Sequence, residues 1–353
     1  MKVFIFDSTT IDKAPYIQNY TNIFDEIGVE YDICTWDKYS GNGIVSKKSG
    51  QITVHKQWHL GKRKLIDFIS VSRILKKIIK SEEYTHLIIV NSIWAILLYD
   101  VLIKFRGKYI LDIRDYKCEN VFGVKSILKM IIEDSFFTTI SSGGFRDFLP
   151  ESNKIIENHN ISNLDYEENE TTLSRNKDLV NIVYMGHVRY FEENKKLIDK
   201  ILDNKRFNLT YRGSYAVGCD LQNYESNNIK FYGKFENKDK PSLYMQYDLI
   251  HSLYGNNHIS ITSLLPNRLY DAILFKKPIL ASKGTYLGEV VEQYRLGVVL
   301  DLDDVNFMEE LANYVAFFDE RDFLSNANEF LTTVKIQQDN FLYKIKMFVD
   351  DVK

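Results

Sequence analysis

Four stretches combine residue types that can bind anions, hold a diol or move a proton. The first, LLPNRLYDAILFKKPILAS (264–282), sets Asn267, Arg268 and Asp271 at the head of an otherwise apolar helix. Asn267 is read as its N-cap, and a helix amino end, with unpaired N–H groups and the positive pole of the dipole, attracts phosphate. Asp271 falls one turn in, where a carboxylate can accept two hydrogen bonds from a vicinal diol such as a ribose. In YMGHVRYFEENKKL (184–197) a strand is expected to end at Gly186 and a helix to begin near Glu192. Glycine lets a ligand approach the backbone closely. Arg189, Lys195 and Lys196 then offer positive charge near the turn, and arginine forks onto phosphate oxygens. A diphosphate suits this set, but a strand-end glycine followed by a solvated basic helix fits the spacing equally well. In KYILDIRDYKCENVFG (108–123), Asp112 lies in a strand, with Arg114 and Asp115 at its carboxyl end. Asp115 could take a proton from a hydroxyl and Arg114 orient its bearer; a strand-end ion pair is the alternative. DLIHSLYGNN (248–257) brings His251, Tyr254 and Asn256 to another strand end.

Strand-like apolar runs separated by helical patterns must position these residues. The first half reads as strands at 2–7, 31–36, 86–91, 108–115, 136–142 and 154–160, with helices between them, among them 16–27 and 93–106. The second half restarts the alternation at 180–186, 207–213, 229–234, 248–254, 277–282 and 297–301, and the tail 305–350 is largely helical. Continuous apolar strands alternating with helices imply parallel sheets covered on both faces. Between the halves, SNLDYEENETTLSRNKD (162–178) is polar and acidic and reads as a linker. The expected organisation is α/β, with two Rossmann-like domains facing a cleft: 1–161, the linker 162–178, and 179–334. A last helix, 335–353, is expected to cross back to the first domain. In such sheets ligands bind at the carboxyl ends of the strands, where the candidate residues fall.

At 353 residues, with 45% hydrophobic and 26% charged, the chain is globular and long enough for two cores. MKVFIFD reads as a first strand rather than a signal peptide, and there is no apolar run long enough to cross a bilayer. The three cysteines, Cys34, Cys118 and Cys219, form neither a metal spacing nor a disulfide framework, which fits a reducing cytoplasm. The net charge of −3 hides an asymmetry: residues 47–129 hold 17 Lys and Arg against seven acids, leaving the remainder at −13. Such a split points to an anionic partner. Nucleic acid is disfavoured because aromatic–basic interleaving is poor, so an anionic membrane surface is the expectation. Within 60–83, Leu65, Ile66, Ile69, Ile74, Ile78 and Ile79 alternate with Lys64, Arg73, Lys76, Lys77 and Lys80 at helical spacing. A helix resting on a sheet and a helix resting on a membrane both satisfy that pattern.

Taken in order, the glycine and basic turn, Pro-Asn-Arg-Leu-Tyr-Asp-Ala, Lys-Pro-Ile-Leu-Ala-Ser and Gly-Val-Val-Leu resemble GT-B-fold glycosyltransferases. More narrowly, they are similar to bacterial retaining enzymes of capsule, O-antigen and surface-glycan assembly. The resemblance covers about 180–302 and is weaker before it. It implies a nucleotide-sugar donor, expected to be a UDP-sugar, held mainly by the second domain through Gly186, Arg189, Lys195, Asn267, Arg268, Asp271, His251 and Tyr254. It also implies a saccharide or lipid-linked acceptor held mainly by the first domain, with Asp115 and Arg114 as the catalytic candidates. The donor is a substrate; no cofactor and no metal are expected. The family's ribose acid falls on Asp271, where Glu is commoner, and its second Glu, eight positions earlier, is replaced by Ser263.

Asp301-Leu302-Asp303-Asp304 matches the metal-binding Asp-x-Asp of a different glycosyltransferase fold, but it follows the last expected strand, where acids serve as caps. Two further readings stand beside the transferase: a non-catalytic subunit of the same fold binding glycan or a partner transferase, and a sugar-nucleotide epimerase. The expected setting is cytoplasmic and peripheral to the inner face of the plasma membrane.

Overall fold

The computed structural model describes residues 1–11, 14–59, 61, 63–161 and 178–350. The stretch read as a linker, 162–178, lies outside the described residues apart from Asp178. The chain divides into two compact units, Met1–Ser162 with Lys335–Lys353, and Asn163–Val334.

The first unit is built on strands β1 (Lys2–Asp7), β2 (Glu30–Asp37), β3 (Asn42–Lys48), β4 (Gln51–Lys56), β5 (His86–Val90), β6 (Tyr109–Ile113), β7 (Phe137–Ile140) and β8 (Ile155–Glu157). They form one sheet in the order β3-β4-β2-β1-β5-β6-β7-β8, parallel except for β3 against β4. Its helices are α1 (Gln18–Ile27), α2 (Arg63–Ser81), α3 (Ser92–Leu97), α4 (Tyr99–Leu102) and α5 (Val124–Asp134). The strand order reverses between β1 and β5, and crossovers of one hand therefore place α1 on one face and α2, α3 and α5 on the other. Helix α2 contacts β3 and β4, α3 contacts β5 and β6, and α5 contacts β7. On the α1 face, Val3, Ile5, Tyr20, Phe24 and Ile88 pack with Phe341, Ile345 and Phe348 of the C-terminal helix α12 (Glu320–Asp350).

The β3–β4 hairpin is absent from the sequence reading. Its turn is the two-residue Ser49-Gly50, at φ 46° and 75°, the left-handed pair that joins twisted antiparallel strands. The edge strand β3 is almost wholly exposed and lysine-bearing, so it shows no apolar run to read.

The second unit carries β9 (Val180–Val188), β10 (Phe207–Tyr215), β11 (Ile229–Tyr232), β12 (Leu249–Ser252), β13 (Ile279–Ser282) and β14 (Gly297–Leu300) in the all-parallel order β11-β10-β9-β12-β13-β14. Helices α6 (Phe191–Ile201), α7 (Lys240–Tyr244), α8 (Ile259–Thr262), α9 (Asn267–Leu274), α10 (Tyr286–Gln293) and α11 (Phe307–Phe317) connect and follow them. One core gathers Ile182, Leu197, Leu209, Leu249, Leu280, Phe307 and Leu311 from sheet and helices.

Gly186 does not end its strand: β9 runs on to Val188, and the chain turns at Tyr190, in the left-handed region at φ 61°. Gly186 instead pairs with Gly213 of β10. A Cβ on Gly213 would stand 1.8 Å from the Gly186 carbonyl oxygen, so these backbones approach where no side chain fits. Asn267 is likewise not the N-cap. Pro266 takes that place in extended conformation, its fixed φ suiting a helix entry, and Asn267 is the first helical residue with its side chain in solvent.

Candidate functional site

The strand ends of the second unit hold a buried cation. Arg268, the second residue of α9, is only 6% exposed. Its guanidinium carbon lies 3.7 Å from the ring centre of Tyr184 and 4.8 Å from that of Tyr254. One terminal nitrogen donates to the Met185 carbonyl at 3.2 Å, and a Cβ built on Gly186 would come within 3.7 Å of it. Nε has no hydrogen-bond acceptor, and among the described residues no carboxylate lies within ion-pair distance. A buried charge without a counter-charge is costly unless an anion is supplied. The Gly186 backbone and the amino end of α9 flank the place where one would sit.

One turn along α9, Asp271 is already engaged. Lys240, at the start of α7, lies 3.0 Å from each of its oxygens, and the Tyr244 hydroxyl donates to Oδ2 at 2.9 Å. Tyr244 is buried and stacks on Phe275, with ring centres 4.7 Å apart. The carboxylate is therefore fixed in direction while keeping lone pairs for further donors. Ser263, where the resembled family has a second acid, turns its hydroxyl back to donate to the Ile259 carbonyl at 2.6 Å.

The remaining donor candidates do not all meet there. His251 is fully buried and stands behind the site. Its Nδ1 accepts the Leu253 N–H at 3.1 Å, which leaves Nε2 to donate to Asn194 Oδ1 at 3.1 Å. Burial, then the nearby Arg268 charge, holds its pKa well below the ordinary histidine value, so the ring is neutral. Tyr254 faces Arg268 directly, and its N–H and that of Gly255 donate to Ser282 Oγ at 2.9 and 3.0 Å. Arg189 is exposed at the end of β9. Lys195 instead binds Asp199 one turn along α6 and covers Tyr224, while Lys196 reaches Asp303 at 2.8 Å. The acids of Asp301–Asp304 close their own turns: Asp301 accepts the Asp303 N–H at 2.9 Å and Asp304 that of Asn306 at 2.8 Å.

In the first unit, Arg114 is 8% exposed and paired with a carboxylate, although its Nε makes no hydrogen bond. One terminal nitrogen donates to Asp112 Oδ2 at 2.7 Å, Nε lies at ion-pair distance from Asp112 Oδ1, the other terminal nitrogen donates to Asn160 Oδ1 at 2.9 Å, and the guanidinium face covers Tyr16 at 4.2 Å. Asp115 is 65% exposed and pairs with Lys117 at 3.2 Å. Asn91 Oδ1 accepts both the Arg114 and Asp115 N–H groups and so fixes the strand end. Asp7, at the carboxyl end of β1, is completely buried; it accepts the Tyr16 hydroxyl and the Thr9 N–H. Burial pushes its pKa up, against the lowering effect of those hydrogen bonds. Arg114, Tyr16, Asp112 and Asp7 thus form one polar cluster at the strand ends.

Lys240, Tyr244, Tyr184 and Asp7 escaped the sequence reading. Tyr184 and Asp7 counted there only as strand residues, and Lys240 stands 31 positions from the acid it binds.

No family model matches the chain, and no curated protein matches it. Solved structures match along their whole length. A sucrose-phosphate synthase from Thermosynechococcus elongatus superposes with a TM-score of 0.70 at 11% identity, covering 100% of this chain and 99% of its own. An E. coli trehalose-6-phosphate structure bound with UDP-2-fluoro glucose gives 0.67 at 8% identity, covering 99% and 98%. The apo form of the lipopolysaccharide outer core galactosyltransferase WaaB gives 0.64 at 12% identity, covering 98% and 99%. The fold is GT-B. Its two α/β sheets, parallel but for β3, follow the fold class read from the sequence, and its structural neighbours are glycosyltransferases of the GT-B fold.

Proposed function

We propose that the chain is a glycosyltransferase that moves a sugar from a nucleotide-diphosphate donor, a UDP-sugar, to a saccharide or lipid-linked glycan acceptor in surface-glycan assembly. Arg268 carries this reading: a guanidinium buried between two tyrosines, beside two close-paired glycines and a helix amino end, lacks the anion that a diphosphate would supply. In the reaction the bond between the anomeric carbon and the diphosphate oxygen breaks, charge grows on that oxygen, and the acceptor hydroxyl bonds to the carbon and gives up its proton. A fixed cation in a water-poor site favours that leaving group without reorganisation. Asp271, aimed by Lys240 and Tyr244, accepts the ribose hydroxyls. The cluster around Arg114 and Asp115 faces the acceptor, with Asp115 taking the proton or orienting its bearer.

The resemblance adds retention of anomeric configuration and catalysis without a divalent cation. Support for the donor class comes from the neighbour bound with UDP-2-fluoro glucose, and for the acceptor class from the galactosyltransferase of the lipopolysaccharide outer core. A thermal-shift screen of UDP-, GDP- and dTDP-sugars tests the reading. A ligand at a hundred times its Kd stabilises the folded protein by about 2.7 kcal/mol, which shows as a clear rise in melting temperature. Stabilisation by UDP-sugars supports the proposal; indifference to all three donor classes rejects it.

A further inference from the structure

The helical layer on one face of the first unit presents an apolar edge backed by cations. α2 touches α3, and α3 touches α5, so the three lie side by side. Both α2 and α5 begin at the carboxyl-end rim of the sheet, since each follows a strand and runs back toward the start of the next. At those two starts Leu65 is 59% exposed, Ile66 64%, Val121 56% and Phe122 fully so. With helices packed about 10 Å apart, the two apolar points are separated by roughly 20 Å. They protrude; they do not line a groove.

Below them the same layer is basic. Ile66, Arg73, Lys77 and Lys80 are exposed and recur at spacings of seven, four and three, which is one stripe down α2 opposite its buried Asp67, Val71, Leu75 and Ile79. Lys125 and Lys129 repeat the arrangement on α5, one turn apart, beside the exposed Met130. Among the described residues, none of Arg73, Lys77, Lys80, Lys125 and Lys129 has a carboxylate within ion-pair distance. No acid stands in the first turn of either helix. The described residues contain no helix long and apolar enough to cross a membrane.

We infer that this layer docks on an anionic bilayer surface, with Leu65, Ile66, Val121 and Phe122 entering the headgroup–acyl boundary and the cations of α2 and α5 meeting lipid phosphates. Apolar tips combined with unpaired cations fit such an interface, where basic residues and shallow apolar insertion add. Arg114 and Asp115 occupy the same carboxyl-end rim, so docking would bring that rim to the membrane. This functional meaning rests on the lipid-linked acceptor proposed above; the association itself does not.

Flotation of the full chain with phosphatidylcholine vesicles, alone or mixed with phosphatidylglycerol, tests the inference. Binding is expected only to the anionic vesicles and should fall steeply with added salt. Each surface cation contributes roughly fivefold in partitioning, so Arg73→Glu with Lys77→Glu should weaken binding at least about 25-fold. Leu65→Ser with Phe122→Ser should weaken it on the order of tenfold. All variants should keep the circular dichroism spectrum and the UDP affinity of the parent. Equal binding to both vesicle types, no binding, or undiminished binding by the folded variants would each overturn the docking surface. Loss of UDP binding by the parent would overturn the donor reading and leave flotation as a separate result.

Discussion

Replacing Arg268 by methionine separates a ligand-binding cation from a structural one. In the free protein the side chain makes one hydrogen bond, to the Met185 carbonyl, and faces two aromatic rings. The bond contributes about 1.5 kcal/mol and the two ring contacts about 1 kcal/mol each. Against these gains stands the desolvation of an unpaired guanidinium, a penalty of several kcal/mol even after relaxation. Methionine fills the same space between the rings without that penalty. Stability of the free protein should therefore change by no more than about 1 kcal/mol. Binding should change far more. Two charge-assisted hydrogen bonds to phosphate are worth about 3–4 kcal/mol together, which is roughly 150- to 1,000-fold in affinity. Titration calorimetry with UDP and with uridine is the assay, since uridine lacks the phosphates. Arg268→Met should lose UDP affinity by that factor and keep its uridine affinity. A variant that loses about 3 kcal/mol of stability but binds UDP as tightly as the parent would refute the reasoning.

Three further outcomes follow from the same geometry. Lys240→Met removes the cation that aims Asp271 and should weaken UDP and uridine alike, on the order of tenfold, because the ribose is common to both; calorimetry shows whether the two losses are equal. His251 and His159 are buried, and burial holds both pKa values below the usual one, so below about pH 6.5 the unfolded chain takes up protons that the folded chain does not. Urea unfolding at pH 5.5 should then show less stability than at pH 7.5, with His251 contributing the larger share. The raised pKa of Asp7 acts with opposite sign, adding stability as the carboxyl is protonated, so Asp7→Asn isolates the histidine contribution. Gly213→Ala places a Cβ 1.8 Å from the Gly186 carbonyl oxygen and should cost about 3 kcal/mol or more, read as a lower denaturation midpoint.

The central strands of both sheets were legible because β1, β5, β6 and β13 are buried on both faces and read as largely apolar runs. The β3–β4 hairpin was not, since its edge strand is exposed and lysine-bearing; its one signal was the Ser49-Gly50 turn between two alternating runs. The head of α9 was legible as a polar start on an apolar helix, and Arg268 and Asp271 do occupy neighbouring turns of it. What the sequence could not show is how each is held. Arginine is ordinarily exposed, so nothing in the order of residues marks Arg268 as buried between Tyr184 and Tyr254. The Lys240–Asp271 pair joins two helices through the fold, and periodicity carries no information about such contacts. Lys195 illustrates the converse: a cation near the expected turn was read toward phosphate, while an i, i+4 acid on its own helix takes it.

The central claim is chemical, and release of nucleoside diphosphate tests it most directly. The purified chain is incubated with UDP-glucose and UDP-galactose, with and without lipid-linked saccharide acceptors, and free UDP is measured alongside the sugar products. The account predicts UDP release that rises with acceptor and is lost in Arg268→Met. Absence of release from UDP-, GDP- and dTDP-sugars alike, or conversion of one nucleotide sugar into its epimer without release, would contradict it.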